Sequence, residues 1–514
     1  MMSRVSRGRF GAAHLMAAVA CGLAAPAVAQ AVVIHVDAGD PAAILACVRP
    51  TIAVPSPAPC TTVQRALGVA AHHDRIDVAP GVYGESLLID KRVTLAGAQA
   101  GTDARERPST PAAATETIIS GTLTLSGDHS IAVDGVAVRG GTDEGIAIDN
   151  AAPTGTYRVL NSILTGNGRR GVRVQMLAAN PAPVVLRHNV IGGNTTAAAP
   201  HAGVLFEGNV DGAVIEENAF SAGDGPAVEF EGSRPGPTAT FQRDITIRGN
   251  LMADTGGVRL AGLRDATVAG NEIVRSTGAG VLVDGGASAV RIDGNRIDDP
   301  VAGGAGVVVR DAGGAYGPNR DVTVTRNSIV GGAHLVRVEP AGYRGPMRVA
   351  GNRLIATAGG VHNGAADVTV DARDNWWGSN AGPGAVNTGA VQADPWLVLR
   401  VTPAAGTVAA GGTPVPVTAS LGQNSAGQTV ALQPVYGGEV AFHTGGVTDS
   451  TFVPPTAPLI DGRAESLMIP TLKPGQDDGD ETLGATLDGE SVAAPAPVHV
   501  VTARGPAGTP GVPP

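Results

Sequence analysis

Nine asparagines recur through the middle of the chain, at Asn161, Asn189, Asn218, Asn250, Asn271, Asn295, Asn327, Asn352 and Asn375, spaced 21 to 32 residues apart. The position two residues after each is apolar throughout: Ile163, Ile191, Phe220, Met252, Ile273, Ile297, Ile329, Leu354 and Trp377. The position between is mixed: Ser162, Val190, Ala219, Leu251, Glu272, Arg296, Ser328, Arg353 and Trp376. That is the period-2 alternation of a short strand with one buried face. A second strand follows in most units, as in "GVRV" at 171, "GVLF" at 203, "AVEF" at 227 and "GVVV" at 306. Short strands in units of this length, with no helical spacing, fit a coil of stacked rungs about 4.8 Å apart. An asparagine recurring at one bend can then form a hydrogen-bonded ladder. A propeller blade needs about 40 residues and four strands, and a sandwich gives no reason for a regular asparagine.

Both ends of the coil have their own signatures. "TVQRALGVAA" has helical apolar spacing and precedes a strand; a short amphipathic helix there would cover the exposed edge of the first rung. After Pro395 the asparagine period stops. Val415, Val417, Ala419 and Leu421 alternate, then Val440 and Phe442, as in the strands of a small β-sandwich. The expected organisation is a segment 1–29 for export, a β-helix with its cap at 30–397, a sandwich at 398–503 and a Pro/Gly tail at 504–514.

The helix followed by "IDVAPGVYGESLLIDKRVTLAG" and asparagine-bearing rungs resembles secreted right-handed parallel β-helix proteins of the pectin-lyase-like superfamily. "DNWWGSNAGP", from Asp374 to Pro383, resembles a segment that closes such helices in bacterial surface proteins. "DPWLVLRVTPAAGTVAAGG" resembles the entry into an invasin-type immunoglobulin-like domain. The resemblance spans roughly 32–500 and implies an all-β fold: a right-handed parallel β-helix with an N-terminal capping helix, then a small β-sandwich. For activity it is permissive, since the superfamily holds lyases, esterases, hydrolases and many proteins with no known catalysis.

Arg4, Arg7 and Arg9, the apolar "GAAHLMAAVACGLAA" and the small-residue "AVA" at Ala27–Ala29 read as an export signal. The apolar run is short of the roughly 20 residues a membrane span needs; a lipoprotein anchored through Cys21 is the alternative. Removing the signal leaves Cys47 and Cys60. In an exported protein one close pair points to a disulfide, against two free buried thiols. The expected location is therefore secreted or at the cell surface, or periplasmic.

Net charge is −10, which argues against nucleic acid, whose phosphates demand a basic surface. Only two lysines, Lys91 and Lys473, are present, leaving almost no candidate for a lysine base.

Polysaccharide-cleaving members of the superfamily place acids, or Asp with Arg, on one outward sheet face. The outward residues of the second strands here are Arg173, Leu205, Glu229, Arg259, Leu282, Val308 and Arg337. Along that row no two acids are neighbours and no aromatics line up. The other outward row carries Glu272, with Trp376 at its end. "IDDP", with Asp298 and Asp299, resembles part of a polygalacturonase signature whose other elements are absent; a solvated turn is expected. Glu216 and Glu217 are expected in solvent, and Asp477, Asp478 and Asp480 in a hairpin turn rather than around a calcium ion. No zinc spacing and no nucleophile elbow appear among the motifs.

No catalytic residue, metal or cofactor is therefore assigned. The expected function is a non-catalytic, adhesin-like surface or secreted protein that binds polysaccharide or cell-surface glycans. The alternative is a carbohydrate-active lyase, esterase or hydrolase, marked by acids, or Asp with Arg, converging on one sheet. Register puts Trp377 in the core and Trp376 outside, either covered by the returning "DPWL" with Trp396 beside it or exposed to stack on sugar.

Overall fold

The computed structural model describes residues 31–503, except 41–46, 151–154, 177–182, 195–200, 233–241 and positions 56, 128, 222, 224, 299, 302, 312, 313 and 315. The expected export segment and Pro/Gly tail lie outside the described residues, as does Asp299.

Three long parallel sheets form a right-handed β-helix: sheet 1 with 14 strands, and sheets 2 and 3 with 11 each. One coil shows the pattern. Val184–Arg187 lies in sheet 1, Val190–Gly192 in sheet 2 and Val204–Gly208 in sheet 3, before Val214–Glu216 returns to sheet 1 one rung on. Within it Val184, Leu186, Ile191, Val204 and Phe206 point inward and are buried. Like stacks on like along the axis; the rings of Phe206 and Phe230 are parallel with centroids 4.3 Å apart.

The corner between sheets 1 and 2 carries the asparagine ladder. Asn189 Nδ2 donates to Asn218 Oδ1 at 2.9 Å, and the same bond continues through Asn250, Asn271, Asn295, Asn327 and Asn352 to Asn375. Each interior amide also donates to a carbonyl one rung back, as Asn271 does to Ile247 at 2.9 Å. Its oxygen accepts a second bond from the preceding asparagine's main-chain N–H, as Asn271 Oδ1 does from Asn250. These buried polar groups are therefore paired, as burial requires.

Asn161 is a correction. Its slot in the ladder belongs to Ser162, whose main-chain N–H donates to Asn189 Oδ1 at 2.9 Å. Every ladder position is preceded by a left-handed residue: His188, Glu217, Gly249, Gly270, Gly294, Arg326, Gly351 and Asp374. Asn161, with φ 49°, occupies that preceding position, and its side chain donates to Asp134 instead. Asparagine is among the few side chains that tolerate the left-handed region, so the residue fits either slot and the sequence period blurs by one. A second, two-rung ladder joins Asn167 Nδ2 to Asn194 Oδ1 at 2.9 Å.

The helix Val63–Val69 closes the N-terminal end and buries Val63, Ala66 and Leu67. Glu85 accepts from the N–H groups of Val63 and Gln64 at its start. Lys91 Nζ donates to the carbonyls of Leu67, Gly68 and Ala70 at its end, satisfying the orphan groups at both termini. Cys47 and Cys60 form a disulfide with Cα atoms 4.9 Å apart.

The C-terminal domain has an antiparallel sheet of 8 strands and a second sheet of 3. Val415, Val417, Ala419, Leu421, Val440 and Phe442 lie in its core.

Candidate functional site

Two sheet-2 regions are covered from outside. Ile118, Ala137 and Ile163 pack beneath Ala104, and at the far end the C-terminal domain lies against the last rung. Trp376 is the hinge of that contact. It is 0% exposed and belongs to the C-terminal domain's core with Leu397, Leu399 and Leu487, so it cannot stack on a ligand. Its Nε1 donates to Asp488 Oδ2 at 2.8 Å, and Arg353 Nε donates to the same oxygen at 2.9 Å. Trp377, 8% exposed, faces the other way into the β-helix core. Trp396 is not beside Trp376; it packs against the β-helix core cluster and donates to Asn380 O at 3.0 Å. Tyr436, 40% exposed, lines a cavity of about 590 Å³ between sheet 2 and the C-terminal domain.

Sheet 3 carries the charged face. Its strands place two outward residues each, and the first of these rows reads Arg173, Leu205, Glu229, Arg259, Leu282, Val308 and Arg337 in successive register. The second row, two residues further along each strand, holds Asp149, Gln175, Glu207, Glu231, Ala261, Asp284 and Arg310. Glu207 and Glu231 are register partners on neighbouring rungs. The expectation that no two acids are neighbours is thus corrected: it followed only the first outward position of each strand.

The two rows are cross-linked. Arg173 reaches Glu207 at 2.8 Å and Asp149 at 3.3 Å. Arg259 bonds Glu229 and reaches Asp284 at 3.0 Å, and Arg310 reaches Asp284 at 3.2 Å. Asp284 is only 3% exposed, and a charge so buried needs partners such as these two guanidiniums. Burial alone would weaken the charge on Arg259, but Glu229 and Asp284 hold its pKa above the ordinary arginine value. Glu231 has no hydrogen-bond or ion-pair partner for its carboxylate among the described residues. Beside it, Tyr316 folds back over Gly262, Gly285 and Gly286, and its hydroxyl donates to Gly232 O at 3.2 Å. At both Gly262 and Gly286 an added Cβ would meet the Tyr316 side chain at 3.0 Å or less.

The other acids singled out by sequence lie apart from this face. Glu216 is buried, not solvated, because Arg187 at 2.7 Å and Arg248 at 2.5 Å clasp it from neighbouring rungs of sheet 1. Glu217 bonds His188 at 2.6 Å. Asp298 ends a sheet-2 strand and bonds Arg296 at 2.6 Å. Asp478 and Asp480 lie in a strand rather than a turn, where Asp480 bonds His499 at 2.6 Å. Among the described residues no group of three or more His, Cys, Asp or Glu is arranged to hold a metal ion.

A family model described as a right handed beta helix region matches residues 190–361, and one described as a protein of unknown function (DUF1565) matches 52–225. No curated protein matches the chain in sequence. Similar solved structures include the A-module of the Azotobacter vinelandii mannuronan C-5 epimerase AlgE6, at 19% identity and TM-score 0.42, covering 60% of this chain and 91% of that one. The catalytic unit of the thermostable GH87 alpha-1,3-glucanase from Streptomyces thermodiastaticus strain HF3-3 has 18% identity and TM-score 0.38, covering 65% and 67%. The Dettilon tailspike protein has 13% identity and TM-score 0.34, covering 77% and 82%. At such identities and scores the chemistry of the face must be argued from its own residues.

Proposed function

We propose that this is an exported glycan-binding protein whose sheet-3 face holds a neutral polysaccharide without turning it over. The carrying observation is the double row of interspersed carboxylates and guanidiniums from Asp149 to Arg310. Sugar hydroxyls donate to carboxylates and accept from guanidiniums, so a row of mixed sign offers both along its length. Acids outnumber arginines there, and the chain carries −10 overall, which disfavours a polyanion. Binding is favoured over cleavage because Glu207, Glu229 and Asp284 are each bonded to an arginine. Among the described residues Glu231 is the one acid of these rows without an arginine partner, and glycoside cleavage by the usual route needs two carboxylates.

The disulfide suits an oxidising compartment, and with the segment 1–29 it supports secretion, surface display or the periplasm. We read the C-terminal sandwich as the invasin-type module, with residues 30–397 and 398–503 as separate units.

A second reading rests on Glu207 and Glu231. Their neighbouring rungs bring two carboxylates to one face, as a carbohydrate-active enzyme requires. A panel of neutral and acidic polysaccharides, scored together for binding and for released reducing or unsaturated ends, separates the two. Binding without product supports the first reading. Product that disappears in Glu231→Gln while binding persists replaces it with the second. No binding to any neutral glycan overturns the first reading, and no product from any glycan of the panel overturns the second.

A further inference from the structure

At the capped end of sheet 1, remote from the sheet-3 face, lies a concavity of about 230 Å³ lined by His73, Asp74, Arg92, Thr94, Ser130 and Arg158, among others. Its floor follows from register. Thr94, Ala132 and Arg158 are partners on three successive rungs. The small Ala132 between them leaves room on the floor of the concavity.

Asp74 is the one acid in the lining, and it is spent. It is 1% exposed, and both its oxygens are occupied. Oδ1 accepts from Val32 N and Arg49 Nη2, and Oδ2 from Ala71 N and Arg49 Nε. Arg49 thus cancels its charge. Arg92 and Arg158 remain, and neither guanidinium has an acid partner among the described residues. Elsewhere on sheet 1 the pattern differs: Arg187 and Arg248 share Glu216, and Arg326 holds Asp293.

The main chain that carries the donors is tied together. The His73 main-chain N–H donates to Arg92 O at 2.5 Å, tying the two walls together. The Arg92 main-chain N–H donates to His72 Nδ1 at 3.1 Å. Ser130 Oγ accepts from Thr156 N at 3.0 Å, which leaves its hydroxyl hydrogen to donate.

We propose that this pocket binds a tetrahedral oxyanion, sulfate or phosphate, either as the free ion or as an ester on a glycan. Two guanidiniums, a hydroxyl and an imidazole converge on a cavity of that size, and charge-assisted bonds of this kind are the strong ones. This inference does not rest on the sheet-3 reading, and either can fail alone.

The test is calorimetric titration of the full exported chain at low ionic strength, with inorganic phosphate, inorganic sulfate and glucose 6-sulfate as probes. Expected is saturable binding, weakened about tenfold or more in Arg92→Gln and Arg158→Gln, since each loses a bond to a charged group. Arg291→Gln, on the same sheet but outside the pocket, should bind as the parent does. Ala132→Leu fills the floor while keeping every charge, and should abolish binding with thermal unfolding unchanged. Binding of the inorganic ions alone supports a free-ion site, and binding of the ester as well supports a glycan sulfate. Absence of saturable binding to any probe overturns the proposal, as does affinity that survives both arginine substitutions and Ala132→Leu.

Discussion

Two stacks of side chains run along this coil, and they obey different rules. The ladder from Asn189 to Asn375 lies inside the corner between sheets 1 and 2, where every amide hydrogen must find a protein acceptor. The double row from Asp149 to Arg310 lies on the outside of sheet 3. The buried stack repeats one residue type, because an amide is both donor and acceptor and so complements its own copy one rung away. The outer stack mixes types, since an unbroken run of like charges on neighbouring rungs would repel. It combines both signs, sets Glu207 beside Glu231 at one step, and tolerates Leu205, Leu282 and Val308 as gaps. Burial imposes uniformity; solvent permits variety, and variety is what a recognition surface needs.

That contrast can be attacked at several depths. The largest effect belongs to the core itself. Trp377→Ala removes a ring from the last rung and should cost about 3–5 kcal/mol in chemical denaturation; a loss below about 1 kcal/mol would mean that the coil ends earlier, near Asn352. Asn271→Ala should cost roughly 1–3 kcal/mol, because Asn250 and Asn295 each lose a partner. Asn161 provides the control: Asn161→Gly keeps the left-handed backbone and should change stability by no more than about 1 kcal/mol. Equal losses at Asn161 and Asn271 would contradict the one-residue offset.

The outer row should respond more weakly and in a salt-dependent way. Arg259→Ala leaves Glu229 and the buried Asp284 short of a partner. Because Arg259 is itself partly solvated, about 1–2 kcal/mol is expected.

Acid separates the ladder from the ion pairs beside it on sheet 1, since amides do not titrate. Burial pushes the Asp293 carboxyl up, but Arg326 and Thr325 together hold it below its ordinary value of 3.8. A depressed folded pKa gives stability that is present above about pH 4 and lost as pH falls through the folded value. Asp293→Asn should therefore flatten the acid limb of the stability profile by about 1 kcal/mol or less, while Asn271→Ala leaves that limb intact. The smallest stability effect is expected at Glu231→Gln, within about 0.5 kcal/mol. Its glycan affinity should nevertheless fall, and an unchanged affinity would remove Glu231 from the binding face.

The sequence by itself determined the coil: the asparagine spacing, the apolar residue two places on and the alternation after Pro395 are local signals of strand, corner and sandwich. It also placed Trp376 and Trp377 on opposite faces, because that follows from a period of two. Tertiary structure decided the rest. Asn161 and Ser162 could be told apart only by the left-handed backbone and the bond to Asn189. Glu207 and Glu231 meet only once the loops between sheets 2 and 3, of varied length, have been closed into register. Trp376 is buried by Asp488 and the domain around it, more than a hundred residues onward. The physical reason is common to all three. A strand's own pattern says which side faces inward, but which neighbour lies across a rung or beneath a domain depends on contacts between distant segments, and no local period encodes them.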